Sequence, residues 1–430
     1  MTDLPRTIAT APQSLHRYVA ALVSPWGLCA IFLAFAIWKS PTIFIDPRFW
    51  AEEANPYFAK CLHATAWACL TTLHKNGSFE GIFNLGTYLA TLVPLERAPA
   101  ATTYLTLLLH LAIIVQLAGL ARTYQIGPTG AVLLASAFAL LPQTFEVWMN
   151  ANNAQSLTGV SALFLLLMPR EKLAEHKYVA LAWSVICVAS GVPPCILAPL
   201  FVLRAFRERS GCLVAIATVF TLGAGIQLLL CLSFGVPRPL SLELKPLVLP
   251  IFMQTILAPL LSGDAVGFIA RFVRGPDHAI VAIAIVIASL PALAAATYAA
   301  KTAPRTAGVG DIVAAWALVS FVQSLGSLDA TSNISGCAGG RYFFFGAVSF
   351  CLLIGIGTAA RKRMTRTLAT AALAWIVLVG FVASRASGWS NLVRSGPSWS
   401  EQVRSCQAGT VCKIMSWPAA AADWTVDVER

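Results

Sequence analysis

The chain has 430 residues, of which 57% are hydrophobic and 11% charged, with a mean hydropathy of +0.73 and a formal net charge of +11. No water-soluble domain needs that much apolar surface, so the composition excludes a soluble enzyme and indicates a polytopic helical membrane protein. The expected fold class is all-α, with about ten spans, a short helical hairpin and a large first outer loop carrying interfacial helices.

A polar segment with Arg6, His16 and Arg17 leads into the first apolar window, Val19 to Trp38. Its length and the lack of a small-residue cleavage site make it a retained signal anchor. Residues 39–99 follow as a loop whose apolar stretches, Cys61 to Leu73 and Ile82 to Pro94, are too short to span and are expected as helices in the interface. Ala100 to Ala121 is the second span. Gln125 to Phe145 and Val147 to Pro169 are the third and fourth, separated by Glu146. Tyr178 to Leu203 is flanked by Lys177 and Arg204 and centred on the sequence GVPP at 191–194, which breaks a helix; residues 178–203 are expected to enter and leave by the same face. Ser210 to Pro237, Ala279 to Ala300, Ile312 to Leu328, Tyr342 to Ala360 and Thr367 to Ser384 complete the set. The membrane domain thus covers residues 1–384 and leaves 385–430 as a tail.

Basic residues set the orientation. Residues 1–18, 122–127, 170–177, 204–210, 301–311 and 361–366 hold 15 Lys and Arg against 5 acids, and the remaining loops, three times as long, hold nearly equal numbers of each. By the positive-inside rule the N-terminus is cytoplasmic and the tail is outside, periplasmic in a bacterial inner membrane. The positive charge therefore serves topology, and no nucleic-acid partner is expected. In an oxidising compartment Cys406 and Cys412 are disulfide candidates. The six histidines are dispersed, without an HExxH, and no nucleotide or hydrolase motif occurs, so no metal or cofactor is expected; Asp46 with the glutamates could at most share a divalent ion.

Polar chemistry gathers on the outer side in three clusters. The first, IDPRFWAEEANPYF from Ile45, brings Asp46, Glu52 and Glu53 together with Arg48. A carboxylate there can act as general base toward a hydroxyl acceptor if its surroundings raise its pKa; the alternative is solvated loop charge. The second, QTFEVWMNANNAQS from Gln143, offers Glu146, Asn150 and Asn153 for sugar hydroxyls and Trp148 as an aromatic platform, or simply a capping turn. The third, ending in GGRYFFF, puts Arg341 at the membrane boundary, suited to a lipid phosphate or to snorkelling.

WAEEA in the first outer loop, the asparagine-rich turn, GGRYFFF and a tail with paired cysteines together resemble the GT-C class of membrane glycosyltransferases, in particular bacterial members with a WAEEG-like first loop and a late GRYF motif. Ala54 stands where that motif shows glycine. The resemblance implies a polyprenyl-phosphate sugar donor, a glycan or lipid acceptor and inverting transfer. It also implies a catalytic acid among Glu53, Glu52 and Asp46, with Arg341 and then Arg48 as phosphate ligands. A transporter or flippase of a lipid-linked sugar, or a non-catalytic envelope-assembly protein, fits the same span pattern.

Overall fold

The computed structural model describes residues 22–236, 243–273, 279–327, 339–386, 396–407, 409–417 and 424–429. The protein is nearly all-α. Among the described residues five helices are long and apolar enough to cross a membrane: α2 (Ala98–Thr123), α7 (Gly211–Phe234), α9 (Ala279–Lys301), α11 (Gly340–Gly357) and α12 (Arg363–Ala386). Four other expected spans are shorter helices: α1 (Pro25–Lys39), α3 (Pro128–Leu140), α4 (Ala154–Leu167) and α10 (Val309–Leu325). The third and fourth are shortened at the same place. The stretch from Pro142 to Asn153 breaks into turns because its asparagines bond to the local backbone instead of continuing a helix.

The central helices are the most enclosed. α4 and α11 are buried almost all round, whereas α7, α9 and α12 expose Leu, Ile, Val and Phe along whole faces, as lipid-facing helices do. Small residues let α11 be surrounded: a Cβ at Gly355 would lie 2.4 Å from the Leu134 side chain, and one at Gly357 would lie 2.7 Å from Ala299.

The segment at 178–203 is helical on both sides of a break, as α5 (Lys177–Val188) and α6 (Ala198–Glu208) joined through Gly191 and a single turn at Val192–Cys195. Its two flanks lie at the same end of the bundle. Arg204 donates to the carbonyls of Leu166 and Met168 at the close of α4, and Arg207 pairs with Asp311 at 2.7 Å. Tyr124 reaches the Ala307 carbonyl at 2.8 Å, and the Arg361 amide donates to Thr302. The described basic loops thus converge on one end, residues 1–18 lying outside the described residues, and residues 39–99 and 143–155 gather at the other, here termed the loop end.

Two features depart from the expected pattern. Residues 244–261, read as loop, form α8 (Leu244–Phe252), a π-helical turn at Met253–Leu257 and a last turn at Ala258–Leu261. Ser324 donates to its Leu247 carbonyl near the end of α10, and Trp375, midway along α12, donates to its Leu260 carbonyl. This segment therefore descends from the loop end into the bundle, and its prolines at 246, 250 and 259 explain why it did not read as a span. The tail is the second departure, because it is not all-α: Trp399–Ser405 is helical and β1 (Val411–Met415) pairs antiparallel with β2 (Thr425–Glu429).

That tail packs on the first loop. Trp399 is fully buried, with Phe49 at 5.0 Å and Phe58 at 6.3 Å between ring centroids, and its indole donates to the Leu95 carbonyl. The Ala51 amide donates to the Trp417 carbonyl, and the Trp417 amide to Phe49. Disulfides close Cys406–Cys412, as expected, and Cys61–Cys69, which joins the short helices Ala59–Leu62 and Ala66–Leu70. Trp399→Ala should cost about 3–5 kcal/mol, as large aromatic truncations in cores do, and release the tail first. Limited proteolysis should then cut near residue 400 well before the helical bundle is cleaved; equal resistance to the parent would refute the packing.

Candidate functional site

The loop end is organised by Glu53. The chain turns sharply at Trp50–Glu53, with Ala51 at φ +41°, and this carries the Glu53 side chain inward until it is 1% exposed. One oxygen accepts from the Trp50 amide at 2.8 Å and the other from the amides of Ala151 at 2.5 Å and Asn152 at 3.3 Å. Burial pushes its carboxyl up to about 7, against the opposing pull of those three amides. Glu53 thus ties the first loop to the asparagine turn. Both of its oxygens are occupied.

Glu52 points differently. It is half-buried, and its one hydrogen bond among the described residues is from Asn152 Nδ2 at 3.4 Å to Oε2. Asp46 instead accepts from the Arg48 guanidinium at 3.1 Å and from Ser398 Oγ at 2.8 Å, and Arg48 also donates to the Gly396 carbonyl at 3.0 Å. Asp46 and Arg48 therefore hold the tail against the loop, with their polar atoms engaged. Sequence reasoning had grouped them with the reacting residues because they are neighbours in the chain.

The asparagine turn is likewise built for structure. Asn150 Nδ2 donates to the Glu146 and Trp148 carbonyls, and its Oδ1 receives the Asn153 amide at 3.0 Å and Asn153 Nδ2 at 3.1 Å. Little capacity remains for sugar hydroxyls. Trp148 is 3% exposed and enclosed by Phe32, His110 and the Lys39 ammonium, which lies 4.4 Å from its ring, so it presents no open face as a platform. Glu146 caps α11: its two oxygens accept from the amides of Gly339 and Arg341, both at 3.1 Å, as a carboxylate does at a helix N-terminus.

That cap fixes Arg341. Its carbonyl accepts from Ser156 at 3.2 Å, and its guanidinium lies over the Tyr342 ring, 5.1 Å from the centroid, and donates to the Tyr342 hydroxyl at 3.4 Å. No carboxylate stands within ion-pair distance of it among the described residues, yet Glu146 and Glu52 are both near enough to act on its charge. Of the nine expected site residues, Glu52 and Arg341 keep uncommitted polar atoms facing one region; six of the others are engaged in holding that region together, and the buried Trp148 indole N–H has no partner among the described residues.

Sequence reasoning missed a third layer. His74 Nδ1 lies 3.3 Å from Glu80, which also accepts from Ser78 at 3.0 Å and Gln155 at 3.1 Å. The Tyr57 ring stacks on His74 at 4.4 Å, and burial pushes the imidazole down to about 3, so it is neutral. Gln155 in turn packs against Gly191, whose φ of +131° and 2.7 Å approach to the Gln155 Cβ admit no side chain. Dispersed histidines gave no pattern from which this contact could be read. Among the described residues no three His, Cys, Asp or Glu side chains gather as a metal-binding group.

The chain matches no family model, no curated protein and no solved structure. Its chemistry must be argued from the site itself.

Proposed function

We propose that the protein is a glycosyltransferase that uses a polyprenyl-phosphate sugar at the outer face of a bacterial inner membrane, modifying a surface polysaccharide or lipid. In this reading the short helices α1, α3, α4 and α10 cross the bilayer beside the five long ones, making nine of the about ten spans expected, with the hairpin entering and leaving by the same face and the basic end in the cytoplasm. The observation that carries the reading is the proximity of Glu52 and Arg341 at the loop end: a carboxylate held by one long hydrogen bond and a guanidinium with no ion-pair partner among the described residues, each held from behind by buried neighbours.

The guanidinium grips the phosphate of the donor, bidentate and charge-assisted. Glu52 takes the proton from the acceptor hydroxyl as its oxygen attacks the anomeric carbon from the opposite side. The bond from that carbon to the phosphate oxygen breaks, polyprenyl phosphate leaves with the electron pair, and the new glycosidic bond has inverted configuration. Arg341→Gln should weaken polyprenyl-phosphate binding about 10–100-fold, the scale of one charged hydrogen-bonding group, with Arg341→Lys intermediate. Titration of the lipid into nanodisc-embedded protein measures this, and unchanged binding in both variants would sink the assignment.

Transport of a lipid-linked sugar is the second reading, and one observation favours it. Lys39 is 3% exposed, bound to Thr144 and the Ala139 carbonyl, and His110 lies buried against Phe32 and Trp148 beside it. Buried ionisable groups in a bundle are the usual parts of a coupled transporter. Lipid scrambling in sealed vesicles, abolished by Lys39→Met and indifferent to Glu52→Gln, would favour transport over transfer.

A further inference from the structure

Uncharged polar side chains from three elements line a seam along α11 that leads from Arg341 into the bundle. Gln143 packs on the first residue of α11, where a Cβ at Gly340 would lie 3.3 Å from its Cα, and its amide donates to the Gln254 carbonyl in the π-helical turn. Thr255, the next residue, accepts from the Trp316 indole at 3.1 Å. A Cβ at Gly346 would come within 2.5 Å of both the Thr255 methyl and Ser320 Oγ, so these groups meet on α11. Gln323 stands one turn from Ser320 on the same face of α10.

Three of these side chains have no partner for a polar atom. Gln143, Ser320 and Gln323 are 2%, 0% and 8% exposed, and Gln143 Oε1, Ser320 Oγ and Gln323 Oε1 accept or donate no hydrogen bond among the described residues. A buried polar atom left without a partner is destabilising, and three along one seam are a standing cost to the fold. They occur beside a segment that descends into the bundle and carries a π-helical turn, the kind of backbone that membrane proteins keep where it lines a binding cavity.

The chemistry of the seam is selective. Amides, hydroxyls and an indole without any charge suit neutral hydroxyl groups and give a phosphate no cation to pair with. We infer that Gln143, Ser320 and Gln323 form the subsite for the hydroxyls of the transferred sugar, inward of the phosphate at Arg341. The inference rests on the donor proposed above. It also supplies the sugar contacts that the committed amides of Asn150 and Asn153 and the enclosed ring of Trp148 cannot make.

The test uses the full-length protein in nanodiscs, titrated with polyprenyl phosphate and with polyprenyl-phosphate glucose, galactose, mannose and N-acetylglucosamine. The parent should bind one sugar-bearing lipid at least tenfold more tightly than the bare phosphate. Gln323→Leu and Ser320→Ala should each erase that preference, leave bare-phosphate affinity unchanged and keep or raise the thermal midpoint, because each removes an unpartnered polar atom. Arg341→Gln should weaken both lipids. Seam variants that retain the sugar preference, or weaken both lipids alike, overturn the subsite while the phosphate site stands, as does a parent without a sugar preference. A parent that binds neither lipid overturns the proposed donor and the subsite with it.

Discussion

Glu52→Gln should lower sugar transfer by about 10²–10⁴-fold, the usual contribution of a general base, while the protein melts within about 0.5 kcal/mol of the parent. The two halves of this expectation come from the same geometry. Glu52 is half-buried and receives one long hydrogen bond, from Asn152, so its loss disturbs little packing. Its carboxylate is nonetheless the one in the WAEEA segment with an oxygen free, so no neighbour can replace it as base. Glu52→Asp, which withdraws the carboxylate by one methylene, should recover part of the rate. The measurement is radiolabelled sugar transfer from a polyprenyl-phosphate donor in detergent, run beside a thermal melt. Full activity in the glutamine variant removes Glu52 from the chemistry, and a melt lowered by several kcal/mol would mean that its role is structural.

Glu53 should behave in the opposite way. Glu53→Ala strands the amides of Trp50, Ala151 and Asn152 in a buried turn, at about 1–3 kcal/mol each before relaxation, so a loss of about 3–5 kcal/mol is expected. Activity should fall with it, because Asn152 and the backbone that carries Glu52 lose their anchor. The pH dependence separates this role from catalysis. Burial holds the folded carboxyl at about 7, above the 4.5 of the unfolded chain, so the folded state binds its proton more tightly. Its contribution is therefore full below about pH 4.5 and is lost as pH rises toward 7, amounting to at most about 3 kcal/mol. His74 acts in the other direction. Its folded value of about 3 lies below the ordinary 6.5, so stability is lost as pH falls from 6.5 toward 3. Comparing the parent with Glu53→Gln between pH 4.5 and 7.5 cancels the histidine. The thermal midpoint of the parent should fall relative to that of the glutamine variant across this range, and parallel curves would contradict the burial of an ionisable Glu53.

Both predictions turn on a distinction between adjacent residues that no linear reading supplies. Glu52 and Glu53 share composition, charge and motif, and they separate because the turn at Ala51 sends one side chain inward to the backbone of residues 151–152 and leaves the other toward Arg341. The same holds for Arg48 and Arg341, both basic residues near aromatic ones. Arg48 has an aspartate two residues away and a tail folded over it, whereas Arg341 is held by its own amide on the Glu146 cap, which leaves its guanidinium against Tyr342 with no carboxylate in ion-pair contact among the described residues.

What the sequence determined by itself was whatever depends on counts and short-range patterns. Apolar length marks the helices, because a chain in hydrocarbon must satisfy its backbone within each segment. Glycine and proline at 191–194 mark the break in the hairpin, and cysteines six residues apart mark one disulfide. The segregation of basic loops at one end follows from the same kind of count. What only the tertiary structure decided are contacts between residues far apart in the chain. These include Glu53 with Ala151, Glu146 with Gly339, Trp399 with Phe49, and the descent of residues 244–261 beside α10 and α11. Hydrogen-bonding capacity belongs to a side chain, but whether it is spent is settled by its neighbours in space. For that reason the polar clusters could be located from the sequence, and the two residues left free to act within them could not.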